Sequence, residues 1–258
     1  MKISKIIIYN EPSVPEINIE KIKEFILKIF KIEIEIRENI FNDLDRKMGE
    51  KIASTRIFNL KKSFEKHIPT IDEIFIELEN IDMSNKQEMI MYDGFELNQI
   101  IRELITKVEN TQKILHIVFT NKLTCTFDES DFKYHARALL GSNPTIISTT
   151  GIIEAPAKPR QYYMDLMTNF SKESIEQIKK KYKGEFLEYN DPRLSDIVHG
   201  YLLQAIFYYE TGEMFCDNNQ CRLFNAHWQK ELLVSQIENK KLCKNHEKIL
   251  DKMKNNIL

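Results

Sequence analysis

The chain has 258 residues and a formal net charge of −2. That is enough length to bury a substantial core, and it carries no global charge excess that would recruit nucleic acid or an anionic membrane. Four cysteines, an apolar opening too short for a signal sequence and no run approaching about 18 apolar residues predict a soluble, cytoplasmic protein.

Ile3 to Tyr9 is a β-branched run closed by Asn10-Glu11-Pro12, which predicts a buried first strand. Ile19, Ile22, Phe25, Ile26 and Ile29 recur at helical spacing, so 18–31 is expected to be an amphipathic helix. Ile32, Ile34 and Ile36 alternate with Lys31, Glu33 and Glu35, the period of a half-buried strand. A β-α-β opening favours an α/β sheet with a right-handed crossover.

Residues 43–66 read as helical, and Pro69 to Glu79 fits either a helix or a strand. Phe95 to Val108 reads as a helix and Lys113 to Thr120 as a buried central strand. Leu123 to Phe127 and His135 to Leu140 read as further strands, and Gly141 to Pro144 as a turn into a strand over 145–149 that Gly151 interrupts. Pro156 and Pro159 make Ala155 to Pro159 an extended connection. Ser171 to Lys183 is a charged helix. Asp191-Pro192 opens a helix through Tyr209 whose apolar residues cover most of its circumference, so it is expected to be buried, with Gly212 as its stop. Helices over 227–237 and 245–253 complete the chain. The expected organisation is one α/β domain over 1–258: a β-α-β and helical part (1–110), central strands and a charged helix (111–190), and a buried helix with a metal site (191–258).

The metal reading rests on Cys216-x4-Cys221, answered by Cys243-x2-His246. Three thiols and one imidazole in two close pairs suit a tetrahedral zinc site. Such a shell is filled, leaving no position for substrate, so one structural Zn²⁺ is expected to staple the fold. Two disulfides would need an oxidising compartment, and four unrelated residues would not fall into pairs. Cys125, left over within Leu-Thr-Cys-Thr-Phe, is expected to be a buried free thiol.

An α/β sheet, a buried helix, a glycine turn and a Cys-x4-Cys site together resemble the archaemetzincin family of zinc peptidases, which carries H-E-x-x-H-x-x-G-x-x-H-C-x4-C and a second cysteine pair further on. Gly212-x-x-Phe215-Cys216-x4-Cys221 falls on the Gly-x-x-His-Cys-x4-Cys part, and Cys243-x-x-His246 falls on the second pair. The resemblance spans residues 195–250. It implies a zincin-like α/β fold with a mixed sheet and a zinc-stapled helical C-terminal third. In that register the family's catalytic histidines fall on Ala205, Tyr209 and Phe215 and its general base on Ile206, none of which can hold a metal or take a proton from metal-bound water. The chain contains no H-E-x-x-H, no P-loop and no G-x-G-x-x-G. The expected function is therefore a non-catalytic, zinc-binding factor that recognises a protein or peptide partner.

The rival expectation is a hydrolase with a second, open metal site around His199, His227 and Glu231. His227 and Glu231 stand at i, i+4, although such pairs are more often solvated or capping, and a lone histidine on an apolar helix is more often a satisfied core residue. His135 is a further ligand candidate, or a base for the hydroxyls of Ser148, Thr149 and Thr150, which otherwise read as polar residues at a strand end. Arg137, Lys158 and Arg160 could receive an anion or simply stand in solvent.

Overall fold

The computed structural model describes residues 1–84, 89–169 and 171–255. Strand β1 (Lys5–Tyr9), helix α1 (Ile19–Phe30) and strand β2 (Glu33–Arg37) form the expected β-α-β unit. β1 and β2 are parallel, with Lys5 opposite Glu33 and Tyr9 opposite Arg37. The Asn18 side chain caps α1 by accepting from Lys21 N, and Ile22, Ile26 and Phe30 bury the stripe that the spacing predicts.

The helix expected over 43–66 shrinks to α2 (Arg46–Ala53). Thr55 Oγ1 turns back to Ile52 O, and Arg56 leaves the helix to bridge Tyr92. The Arg56 guanidinium reaches Glu77 Oε1 at 2.6 Å, and a buried carboxylate of this kind outweighs one more helical turn. The ambiguous 69–79 stretch is helix α3 (Ile71–Leu78), started by a reciprocal Thr70/Glu73 capping box.

Strand β3 (Met91–Asp93) runs into helix α4 (Gly94–Leu104), followed by β4 (Ile114–Thr120), β5 (Leu123–Asp128), β6 (Lys133–Ala136), β7 (Leu139–Leu140) and β8 (Thr145–Ser148). The stretch read as one strand over 135–140 is thus two strands in two sheets. The main sheet has the order β2-β1-β4-β8-β7, parallel except for β7, and the second sheet has the order β3-β5-β6. Both sheets are mixed. β1 shows why helices cover both faces of the main sheet. Ile6 and Ile8 join the core cluster of Ile22, Ile26, Ile197 and Leu202, whereas Ile7 and Tyr9 join that of Phe41, Ile52, Leu97 and Ile101.

The strand pattern ends before Gly151, as expected, with β8 stopping at Ser148. Gly151 sits in a short helix, α5 (Thr149–Glu154), and a Cβ there would lie 2.1 Å from Arg137 O, so only glycine lets the two backbones meet. Helix α6 (Arg160–Thr168) was not foreseen; its one buried residue, Tyr162, leaves almost no apolar stripe to read. α7 (Lys172–Lys181) is the charged helix. α8 (Leu194–Thr211) is the buried helix, ended by Gly212 at φ 82° with its N–H on Tyr208 O. α9 (Gln229–Leu233) continues as a π-helical turn over Val234–Asn239, and α10 (Lys244–Lys254) completes the described chain.

Candidate functional site

Gly212 turns the chain away from α8, and the loop that follows returns Cys216 beside Phe224 in an isolated bridge, with Cys216 N donating to Leu223 O at 2.9 Å. Cys243 is the N-cap of α10, which carries His246 into the first turn three residues later. Cys216, Cys221, Cys243 and His246 come together with their ligand atoms within 4.8 Å of one another. Cys216 Sγ lies 3.9 Å from Cys243 Sγ, and His246 Nδ1 lies 3.7 Å from Cys221 Sγ and 3.1 Å from Cys243 Sγ. A tetrahedral zinc with bonds of about 2.3 Å to sulfur and about 2.0 Å to nitrogen has edges of about 3.5–3.8 Å, a range that these three separations bracket, so the four donors are close enough together to share one such ion.

Two backbone amides support the thiolates: Asn218 N donates to Cys216 Sγ at 3.4 Å and Cys243 N to Cys221 Sγ at 3.3 Å. Burial pushes the Cys221 thiol up to about 12. Burial also opposes ionisation of Cys243, but hydrogen bonds from the His246 backbone and ring bring its thiol down to about 7. Three thiolates this close repel one another, and a cation among them is what would hold all three deprotonated.

Beside this centre lies a groove of about 430 Å³. One wall is the chain from His135 to Gly141. The other consists of Tyr201 and Gln204 of α8, Met214 and Phe215 after it, and the segment Phe224 to His227. Ala205 and Ile206 are buried in the core, and the Tyr209 hydroxyl donates to Gln112 O at 3.1 Å, so of the four aligned positions only Phe215 meets the groove. Gln204, 2% exposed, donates through Nε2 to Phe224 O at 3.2 Å. That contact fixes the orientation of the amide, and its Oε1 has no partner.

The residues of the rival site are dispersed. His199 stacks on Phe25 at 4.2 Å, its Nε2 is buried without a partner, and burial, then the nearby Arg222, depress its pKa to about 4. Glu231 Oε2 accepts from His227 N and Trp228 N at 3.0 and 3.1 Å, the role of a helix-capping carboxylate. His227 lines the groove, whereas Glu231 lines a separate depression with Trp228. Among the described residues the groups with metal-ligand spacing are the Cys3His set and Asp128, Asp131 and His135, and the trio of His199, His227 and Glu231 is not one of them.

The hydroxyl candidates secure the strand end instead. Ser148 Oγ donates to Lys122 O at 2.7 Å, Thr149 Oγ1 to Thr120 O at 3.1 Å and Thr150 Oγ1 to Asn121 O at 2.6 Å. His135 faces Asp131, with Nε2 3.0 Å from both carboxylate oxygens. Lys158 pairs with Glu154 at 3.5 Å, while Arg137 lies in the groove wall. Sequence reasoning missed the groove and the Asp128/Asp131/His135 group. The signal for the latter was two aspartates three apart in a hairpin turn that leads straight to a histidine.

The sequence profile described as "Probable metallopeptidase family (DUF6775)" matches residues 2–253. The chain belongs to this family. Among curated proteins none matches. Among solved structures, a zinc-dependent peptidase from Methanocorpusculum labreanum (strain Z) aligns with 95% of this chain and 99% of its own, at 13% identity and a TM-score of 0.44, a likeness too slight to carry an argument about chemistry. For this DUF6775 member the Cys3His group is the one whose donor set and spacing fit zinc best. No described helix is long and apolar enough to cross a membrane.

Proposed function

We propose that this DUF6775 member is a cytoplasmic, zinc-stapled protein that binds a partner protein through an extended peptide segment and does not hydrolyse it. One observation carries the reading: the helix face turned to the groove presents Tyr201 and Gln204, and the chain beyond Gly212 adds Met214 and Phe215, none of which can hold a catalytic zinc or act as its base. A Cys3His shell uses all four tetrahedral positions and so serves structure.

The groove offers main-chain recognition. Ala138 O accepts from Ser148 N at 2.9 Å, and Leu139 stands opposite Ile147. By the alternation of an antiparallel ladder, the N–H and C=O of Leu139 therefore point away from β8, at the edge of the main sheet. An extended segment laid along that edge would continue the sheet.

Elemental analysis with anomalous scattering tests the reading: one zinc per chain, at Cys216, Cys221, Cys243 and His246, is the expected result. The hydrolase reading needs a second ion. Since His199, His227 and Glu231 are dispersed, its best support is the Asp128/Asp131/His135 group, whose His135 also lines the groove. Two ions per chain, with peptide hydrolysis lost in His135→Ala, would favour it.

A further inference from the structure

The side chains around the groove are uneven in charge. Its walls contain Arg137, His135 and His227 and no aspartate or glutamate. His135 is engaged by Asp131, and Asp128 Oδ1 accepts from Ser130 N at 2.9 Å. Arg137 makes no ion pair among the described residues. Its Nε donates to Thr126 Oγ1 at 2.8 Å, and Thr126 lines the same groove. Its backbone is held as well, with N on Thr124 O at 2.8 Å and O taking the Thr124 hydroxyl at 3.1 Å. A half-buried guanidinium anchored through Nε keeps its terminal nitrogens for another acceptor, and a carboxylate matches that fork.

Position argues for a side-chain carboxylate rather than a chain terminus. Arg137 stands within the wall, with His135 and Ala136 before it and Leu139 to Gly141 after it, so a segment lying along the groove passes Arg137 in both directions. The surroundings on either side are apolar. Phe95 is 61% exposed and Phe215 is 44% exposed, and Ala138, Leu139 and Met214 are among the other apolar residues of the lining.

We infer that the groove takes an extended peptide segment carrying an acidic side chain between apolar residues, with the carboxylate on Arg137. The inference rests on the peptide-binding reading above and adds the class of sequence recognised.

The probe is a dansyl-labelled hexapeptide, Ala-Leu-Ala-Glu-Leu-Ala, blocked at both ends so that the glutamate supplies its single carboxylate. Versions with Gln or Lys in place of Glu, and a Gln version with a free C-terminus, complete the set. Fluorescence titration of the zinc-loaded protein should show the Glu peptide binding about tenfold tighter than the Gln peptide or better, the discrimination expected of a charge-assisted pair. Arg137→Gln should remove that preference while leaving the Gln peptide within about twofold of its original affinity, the residual of uncharged contacts. Arg137→Glu should make the Lys peptide the preferred one, which an unfolded variant could not do. Equal affinity for the Glu and Gln peptides would overturn the inference and leave peptide binding intact. Tighter binding of the Gln peptide with a free C-terminus than of the Glu peptide would also overturn it, by assigning the carboxylate to a chain end. Binding of none of the peptides would remove both this inference and the reading it rests on.

Discussion

Cys221→Ser isolates the contribution of the metal centre. Cys221 is fully buried, receives Cys243 N at 3.3 Å and belongs to the same core cluster as Phe207 and Met253. The substitution removes one of four ligands and exchanges a sulfur for a smaller oxygen, so a tetrahedral ion loses most of its hold. At a free zinc concentration about a thousandfold above the dissociation constant, a bound ion stabilises whatever folds around it by about 4 kcal/mol. Loss of that term raises local opening of the Cys216–Phe224 loop and the start of α10 about a thousandfold, which hydrogen exchange by mass spectrometry reads as a shift of about three decades. The main sheet should respond less: Ile6 and Ile8 share a core cluster with Cys221 and Leu223, but the β1 backbone is held on both sides by the ladders to β2 and β4, in which no metal ligand takes part. The reasoning fails if the amides of 216–224 and 243–247 exchange equally fast in Cys221→Ser and in the zinc-loaded parent. It also fails if β1 opens as much as the loops do.

Glu77, 0% exposed, accepts from Arg56 at 2.6 Å, Lys122 at 2.6 Å and the Tyr92 hydroxyl at 2.9 Å. Glu77→Ala strands the buried Lys122 and leaves Arg56 only its contacts with Glu73, at 3.4 Å to the carboxylate, and urea unfolding should show a loss of about 3–5 kcal/mol. Burial works against the Glu77 carboxylate, but Lys122 and Arg56 overcome it and depress its pKa. The associated stability is therefore present above the ordinary carboxylate value of about 4.3 and lost as pH falls through the lower folded value; parent and Glu77→Ala midpoints should converge in acid. His227→Ala and Glu231→Gln should cost stability or peptide binding rather than turnover, because Glu231 caps a helix and the protein is expected to show no chelator-sensitive peptidase activity. Hydrolysis abolished by both substitutions, in variants that keep their fold and zinc, would falsify the non-catalytic reading. Cys125, 2% exposed and pushed up to about 12 by burial, then by Asp93, should react with a thiol reagent only on unfolding; rapid labelling of the native protein would contradict its placement.

Local pattern accounts for what the sequence disclosed. The isoleucine spacing of α1, the alternation in β2 and the Gly212 stop each depend on a few neighbouring residues, and each structural outcome matches its expectation. The Cys3His grouping was legible for the same reason, since each pair lies on one short turn. What the sequence did not disclose has a non-local cause. α2 ends early because Arg56 answers a carboxylate 21 positions away, and Gly151 is demanded by the Arg137 backbone passing 2.1 Å from where a Cβ would sit. Which residues of α8 line the groove was not legible, because the side of α8 that faces it depends on the roll of the helix. A helix apolar around most of its circumference does not encode that roll.

The order of the main sheet also bears on synthesis. β1 lies between β2, which follows it closely, and β4, whose Ile114 pairs with Lys5 from 109 positions further along (5 to 114). At about 5–20 residues per second, the first strand emerges and waits about 5–20 seconds with one hydrogen-bonding edge bare before its second neighbour exists. During that interval Lys-Ile-Ile-Ile-Tyr is an unpaired β-branched segment of the kind other nascent chains can join. The face of the sheet it builds stays uncovered longer still, until the eighteen residues of α8 have been made.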